Sequence, residues 1–195
     1  MLLNGTQQYY KELYIPILLA CYIGLRRSEI CALKWNDINF KNKTITIRSA
    51  KVLNENTDWI IKNPKSFAGN RTLILSNAII DTLQRFKKEN KAKKEDFVIP
   101  IEPSTITVNF SRLLSKINLP HFRFHDLRHF NASIMLSLNI PDKYAMERMG
   151  HATNTMLKTI YQHTFTEKQI EVSHTINHYI DTIVQHEMQH KKINP

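Results

Sequence analysis

The most informative part of the sequence is a stretch that reads His-Asp-Leu-Arg-His at 125–129, Met-Gly-His at 149–151 and Ile-Tyr-Gln-His at 160–163. Four of its side chains can hold or attack an anion: His125, Arg128, His151 and Tyr161. A helix would carry the first two on one face, where the guanidinium can donate two parallel hydrogen bonds to phosphate oxygens. Two imidazoles, a guanidinium and a phenol in one span are typical of a site that holds a phosphate and attacks it.

Taken alone, the pair His125 and Arg128 has a simpler interpretation. His125 would cap the helix that it begins, and Arg128 would pair with Asp126 or Glu147. The pair by itself favours this structural interpretation, so the prediction of a phosphate site needs further cations from elsewhere in the chain.

A second arginine site lies at 24–29, in the sequence Gly-Leu-Arg-Arg-Ser-Glu. Arg26 follows an apolar block, and a charge in such surroundings needs a partner. Glu29, three residues further on, is either that partner or a group that orients a histidine.

Composition restricts the function classes. The 195 residues suit one domain, 42 % of them are hydrophobic, and the formal net charge is +10. Such a charge favours an acidic partner, most often nucleic acid. Two cysteines, Cys21 and Cys31, form no disulfide framework, and the N-terminus has no signal-peptide pattern. The longest apolar run, 15–23, is too short to span a bilayer, so we expect a soluble cytoplasmic protein.

Periodicity and end signals predict an α+β protein, mostly α-helical, with a small three-stranded antiparallel sheet. Helices are predicted over 9–23, 27–33, 76–90, 104–116, 125–138, 141–150 and 166–190. Ser76 and either Ser104 or Thr105 are the expected N-caps, and Gly24 and Gly150 the expected helix ends. Strands are predicted over 43–48, 58–62 and 71–75. The last two would form a hairpin with Lys65 at its tip.

In this order and spacing, the motifs resemble the catalytic domain of the tyrosine recombinases, the phage integrase family. The resemblance runs from about Ile15 to Phe165. Its motifs are Gly-Leu-Arg-x-Ser-Glu at 24–29, Leu-Lys-Trp-Asn-Asp-Ile at 33–38, Asn-Pro-Lys-Ser at 63–66 ahead of 71–75, His-x-x-Arg at 125–128, Gly-His at 150–151 and Tyr161. Each motif is short, but the ordered set is specific.

The resemblance implies a site-specific DNA recombinase or integrase, from a phage or an integrative mobile element, that works through a 3′-phosphotyrosyl intermediate. Tyr161 would be the nucleophile, and Arg26 and Arg128 would clamp the phosphate. His125 would take a proton or donate to an oxygen, and His151 would donate a further bond. Lys65 would be the general acid, with Lys62 as its rival. Glu29 would have a supporting role, and neither metal nor cofactor is expected.

The resemblance also implies partners and organisation. Double-stranded DNA is the expected ligand, with a homotetramer on synapsed sites and a monomer as the alternative for the isolated domain. Residues 1–195 would be one catalytic domain without the family's N-terminal core-binding and arm-binding domains. The helix over 166–190 would either pack on its own core or be exchanged between subunits. The expected location is the bacterial cytoplasm, at the nucleoid.

Three other functions compete with this interpretation. One is relaxation of DNA by a type IB topoisomerase-like activity, and another is a DNA-binding module without catalysis. The remotest is a zinc peptidase, because the sequence His186-Glu187-Met188-Gln189-His190 fits H-E-x-x-H. Only five residues follow that motif, so no downstream third ligand is available.

Overall fold

The structure is a computed structural model that describes residues 2–63, 70–150 and 177. Apart from Asn177, the described residues belong to one unit, residues 1–154. Its helices are α1 (Leu2–Tyr9), α2 (Tyr14–Leu18), α3 (Arg27–Ala32), α4 (Asn77–Glu89), α5 (Pro103–Lys116), α6 (Asp126–Ser137) and α7 (Asp142–Met149). Its strands are β1 (Ile38–Asn39), β2 (Thr44–Ile47), β3 (Ala50–Leu53), β4 (Trp59–Lys62) and β5 (Arg71–Ile74). None of the helices described is long and apolar enough to cross a bilayer.

The apolar run before Gly24 is not the single helix predicted over 9–23. A 3₁₀ turn at Lys11–Leu13 leads into α2, which continues as a π-helical turn at Leu19–Ile23. Because this run is almost entirely apolar, it has no polar face whose period could show where the hydrogen bonding changes between 3₁₀, α and π helix. The predicted end is confirmed: Gly24 stops the helix at a φ of 78°, where a side chain would be strained.

The strands form two antiparallel sheets, one of β1, β2 and β5 and one of β3 and β4. The small three-stranded antiparallel sheet is confirmed, but the predicted hairpin between 58–62 and 71–75 is wrong. β4 pairs instead with β3, a strand that the sequence did not reveal, and β5 pairs with β2.

Burial explains why β5 pairs with β2. Ile45 and Ile47 on β2 and Leu73 on β5 are all buried, so pairing these two strands joins their apolar faces over the core. β4 is partly buried at one end and exposed at the other, and it has no such face to offer. In the resulting register Ile47 lies opposite Arg71.

The helices after the sheet lie close to their predicted ranges, with corrected N-termini. Ser76 has the N-cap position of α4, but its side chain forms no capping hydrogen bond. α5 begins at Pro103 after Glu102, rather than after Ser104 or Thr105. Proline is favoured in the first turn because the N–H that it lacks would have no helical partner there.

Aromatic contacts connect the core to the start of α6. Phe110 of α5 makes edge-on contacts with Phe122 and Phe124, each with 5.4 Å between ring centroids. Phe124 is buried and immediately precedes His125. The core therefore fixes where α6 begins.

α6 packs against the π-helical turn. Asn131 of α6 donates from Nδ2 to the carbonyl oxygen of Cys21 at 3.1 Å. That carbonyl lies in the last turn of the helix, where intrahelical donors run out. The contact brings α6 alongside Gly24 and the start of α3.

Candidate catalytic site

Arg26 and Glu29 form the first part of the site, at the start of α3. The Arg26 backbone N–H donates to Glu29 Oε2 at 2.8 Å, and Arg26 Nη1 donates to Glu29 Oε1 at 2.6 Å. Glu29 is thus the partner of Arg26, one of the two roles that the sequence left open. The side chain of Glu29 is only 6 % exposed, whereas that of Arg26 is 33 % exposed. Arg27 points elsewhere and donates to Thr107 of α5.

Arg71 is a member of the site that sequence reasoning did not find. Its Nη1 and Nη2 donate to the two carboxylate oxygens of Glu29, at 3.1 and 3.0 Å. A signal for it was present: positions 71, 73 and 75 alternate inward in a predicted strand, and an arginine on a buried face needs an acidic partner. Burial acts to raise the pKa of Glu29, but the hydrogen bonds and charge of Arg71, and then Arg26, outweigh it and lower the pKa.

Arg128 is almost completely buried, at 1 % exposure. Its Nη1 donates to the carbonyl oxygen of Gly24 and its Nη2 to that of Met149. Burial, and then the charge of Arg26, lower the pKa of Arg128 to about 9. Asp126, which the simpler interpretation paired with Arg128, accepts from Arg123 at 2.9 Å instead.

The three arginines meet at the end of α7. The carbonyl oxygens of three consecutive residues, Arg148, Met149 and Gly150, accept from Arg71 Nε at 2.9 Å, from Arg128, and from Arg26 Nη2 at 2.7 Å. Carbonyls at a helix C-terminus lack intrahelical donors and carry the negative end of the helix dipole, so they suit cations. Gly150 allows this turn with a φ of 64°.

His125 occupies the N-cap position of α6 without a capping hydrogen bond from its side chain, contrary to the simpler interpretation. Its ring meets that of His129 edge-on, with 5.2 Å between centroids. Burial lowers the pKa of His125, and the nearby charges of His129 and Arg128 lower it further. Burial also lowers the pKa of His129. Both imidazoles therefore favour the neutral form, which can accept a proton.

Three of the predicted site residues lie outside the described ranges: Lys65, His151 and Tyr161. So do the helix predicted over 166–190, except Asn177, and the peptidase-like motif at 186–190. His151 directly follows Gly150 in the chain, and Lys65 precedes Arg71 by one short segment. In the part of the chain that is described, no cluster of His, Cys, Asp and Glu could hold a metal ion.

The described arrangement suits an anion with several oxygens. Against three guanidinium groups, Glu29 supplies one carboxylate, so this cluster keeps a positive balance. Arg26 is the partly exposed member and can reach a ligand at the surface. Guanidinium groups present paired donors that match phosphate oxygens.

Comparison with known proteins points to the same family as the sequence motifs. The chain matches the phage integrase family over residues 2–168. It is 24 % identical over 186 residues to a tyrosine recombinase XerC-like protein of Caldanaerobacter subterraneus subsp. tengcongensis, covering 82 % of this chain and 48 % of the relative. It is 28 % identical over 184 residues to the integrase of Staphylococcus phage L54a, covering 85 % and 52 %. The chain thus spans about half the length of these relatives.

A solved structure with a similar fold is the integrase of transposon Tn1549 in complex with transposon right end DNA. It has a TM-score of 0.73 and 26 % sequence identity, covering 82 % of this chain and 58 % of the solved one. The α+β, mostly helical fold predicted from the sequence is confirmed by this likeness. The match over residues 2–168 establishes that the chain belongs to the phage integrase family.

Proposed function

We propose that this chain is the catalytic part of a site-specific DNA recombinase of the integrase type, which cleaves and rejoins DNA through a 3′-phosphotyrosyl intermediate. The observation that carries the proposal is the convergence of Arg26, the N-cap residue of α3, and Arg128 of α6 on the carbonyls of Gly150 and Met149. The partly exposed Arg26 can donate to a non-bridging oxygen of a phosphodiester, and the buried Arg128 adds a second positive charge beside it.

Preorganised cations are what phosphoryl transfer needs. Negative charge gathers on the non-bridging oxygens of the transition state, and donors already in place stabilise it without reorganisation. Backbone carbonyls hold Arg128 and Nη2 of Arg26 without adding a formal negative charge, and Glu29, which holds Nη1 of Arg26, supplies one carboxylate against three guanidinium groups. The positive charge therefore stays available to the DNA.

Tyr161 supplies the nucleophile in this proposal. Its phenolic oxygen bonds to the phosphorus as the bond from phosphorus to the 5′-oxygen breaks. A phenol has a pKa near 10, so it needs a base to lose its proton at neutral pH. His125, kept neutral by its surroundings, accepts that proton or donates to a phosphate oxygen.

Lys65 and His151 complete the reaction. Lys65 gives a proton to the leaving 5′-oxygen as general acid, and His151 donates a hydrogen bond to the phosphate. The phosphotyrosyl bond keeps the energy of the broken phosphodiester, so attack by a 5′-hydroxyl reverses the step without ATP or metal. Glu29 supports Arg26 rather than touching the substrate.

The relatives support the partner and setting. They include the integrase of Staphylococcus phage L54a, and one solved relative is bound to transposon DNA. Double-stranded DNA is therefore the proposed ligand of this chain, with four copies acting on synapsed sites in a bacterial cytoplasm. The net charge of +10 favours binding to the phosphate backbone.

The test uses duplexes that need no known target site. Nicked suicide duplexes with a randomised segment are incubated with the 195-residue chain in EDTA, and adducts that survive SDS but not protease are recovered and sequenced. The wild type is expected to form such adducts, and Tyr161→Phe is expected to form none. Tyr144→Phe, which removes an exposed phenol on α7, is the matched control.

Three results would contradict the proposal. An adduct that persists in Tyr161→Phe would exclude this nucleophile. DNA binding without any adduct would favour a binding module instead. Relaxation of a supercoiled plasmid by a chain that never joins two duplexes would favour the topoisomerase-like alternative.

A further inference from the structure

All three side-chain nitrogens of Arg71 donate hydrogen bonds to other residues of the protein. Its Nη1 and Nη2 bind Glu29, its Nε binds the carbonyl of Arg148, and the residue is 8 % exposed. An arginine whose three nitrogens are all engaged and buried does not suit direct contact with DNA. Its position beside Arg26 needs another explanation.

We propose that Arg71 is a positioning residue that sets the geometry of the phosphate-binding arginine Arg26 through Glu29. This inference rests on the proposed function for its catalytic consequence. Its structural part, the control of Arg26 by Arg71, stands on the contacts alone and can be measured separately.

The first contact runs through the carboxylate. Each oxygen of Glu29 accepts from both arginines: Oε1 from the Nη1 atoms of Arg26 and Arg71, and Oε2 from the Arg26 backbone N–H and Arg71 Nη2. The fork of Arg71 fixes the plane of the carboxylate, because a bidentate pair allows little rotation. Glu29 in turn fixes Nη1 of Arg26.

The second contact runs through the end of α7. Arg71 Nε holds the carbonyl of Arg148, and the next two carbonyls hold Arg128 and Arg26. Movement of this turn would shift the acceptors of Arg128 and Arg26 together. Arg71 therefore acts on Arg26 from two sides, at Nη1 through Glu29 and at Nη2 through Gly150.

Arg71 also has a defined place in the chain. It is the first residue of β5 and lies opposite Ile47 of β2, so the sheet fixes its backbone. The segment that contains Lys65, the proposed general acid, ends directly before Arg71 in the sequence. Arg71 therefore connects that segment to the residues that hold Arg26 in place.

The experiment compares three single variants of the full chain. Arg71→Met removes the fork and the charge, and Arg71→Lys keeps the charge without the bidentate geometry. Arg48→Met is the matched control, because Arg48 also pairs with a buried carboxylate, Asp37, but away from the arginine cluster. Since Arg71→Met leaves Glu29 buried with one partner fewer, Arg71→Lys, which keeps a positive charge beside Glu29, takes its place in every measurement if Arg71→Met does not fold.

The first readout is nitrogen NMR of the Arg26 guanidinium without DNA. In the wild type, slow rotation is expected to give separate resonances for Nη1 and Nη2, because each is held by its own acceptor. Arg71→Met, or Arg71→Lys if Arg71→Met does not fold, is expected to speed this rotation by about 10-fold or more as the acceptors loosen. Arg48→Met should leave it unchanged. Unaltered Arg26 resonances without Arg71 would overturn the inference.

The second readout is the single-turnover rate of adduct formation on a duplex recovered from the randomised library. Arg71→Met should slow cleavage by about 100-fold and Arg71→Lys by about 10-fold, since small misplacements of a catalytic group have effects of this size. DNA affinity should stay within about 3-fold, because Arg71 does not touch DNA.

Equal losses of rate and affinity, or full activity in Arg71→Lys and Arg71→Met, would overturn the positioning role. If the wild type forms no adduct on any duplex, the proposed function fails instead. The NMR comparison still decides whether Arg71 holds Arg26, so the two failures are distinguishable.

Discussion

Arg26 and Arg128 donate to the carbonyl oxygens of two neighbouring residues, Gly150 and Met149, although they come from helices far apart in the sequence. A glycine in the left-handed region ends α7 and turns these carbonyls toward the arginines. Because these two acceptors are uncharged and Glu29 supplies one carboxylate against three guanidinium groups, the cluster keeps a net positive charge that attracts an anion. His151, the next residue, follows directly from this turn in the chain.

Replacing Arg26 should affect the reaction more than DNA binding. Arg26→Met is expected to slow adduct formation by about 100-fold, the usual effect of losing one charge-stabilising donor, while the Kd for DNA rises less than about 3-fold. Arg27→Met is the control, because the neighbouring arginine binds Thr107 rather than the cluster. Suicide-substrate kinetics measure the rate of adduct formation, and fluorescence anisotropy measures the Kd for DNA. Similar losses of rate and affinity would make Arg26 an ordinary contact to the DNA backbone.

Glu29→Gln should destabilise the fold. It leaves Arg71, whose side chain is 5 % exposed, without a charged partner, and breaking a buried pair costs about 3 kcal/mol. Urea unfolding at pH 7 measures the change. Glu102→Gln is the control, since Glu102 pairs with Lys51 at 2.9 Å but is 40 % exposed, and it should cost less than about 1 kcal/mol. Equal losses of unfolding free energy in the two variants would contradict a larger contribution from the buried Glu29 pair.

The same carboxylate should make stability depend on acidity. The pKa of Glu29 is lowered below 4.5 in the folded chain. At higher pH the group is ionised in both states and its contribution is complete. As the pH falls below 4.5 the unfolded chain takes up the proton first, so stability is lost until the folded pKa is passed. Unfolding free energies of Glu29→Gln should fall less steeply than those of the wild type over this range; parallel curves would contradict the assignment.

His125 and His129 should produce a second pH effect at higher pH. Burial lowers the pKa of both below 6.5, so between their folded values and 6.5 the unfolded chain binds more protons. Stability should therefore rise with pH through this window and fall on acidification. His125→Gln/His129→Gln should flatten the curve. Urea unfolding at pH 7.5 and 5.5 tests this, and a wild-type stability equal at both values would exclude it.

Gly24 should tolerate no side chain. A Cβ there would lie 2.8 Å from both Asn131 Oδ1 and Met149 Sδ, at a φ of 78°. Gly24→Ala is expected to cost about 2–3 kcal/mol from backbone strain and overpacking. In Gly5→Ala the new Cβ would also meet a side chain at 2.8 Å, Cγ2 of Ile117, but Gly5 lies within helix α1 without a positive φ, where alanine is favoured, so the cost should be smaller. Thermal unfolding of the two variants compares them, and equal midpoints would contradict the prediction.

Local signals in the sequence predict the local parts of this molecule well. Gly24 and Gly150 end their helices as expected, because a left-handed residue depends mainly on its own lack of a side chain. The contact of Arg26 with Glu29, three residues away, follows from the spacing within one short motif. The meeting of Arg26 with Arg128 is a long-range contact that the resemblance to a known family suggested, not the spacing of either motif.

Long-range pairing is where the sequence falls short. Alternation in β5 shows which side chains face inward, but it does not identify the partner strand, so a nearby hairpin was predicted in place of the pairing with β2. The role of Arg71 was missed for the same reason. Its partners, Glu29 and the Arg148 carbonyl, lie 42 and 77 residues away.

The pairing of β2 with β5 has a consequence for how the chain can vary. The backbone leaves the three-stranded sheet after Ile47 and returns at Arg71, directly opposite. Everything between is an excursion with fixed ends, and lengthening such a loop costs little free energy. Insertions or deletions beyond β4 should leave the three-stranded sheet and the packing of β3 on α3 intact while altering the segment that carries Lys65. This excursion is therefore the natural place to exchange segments between related recombinases.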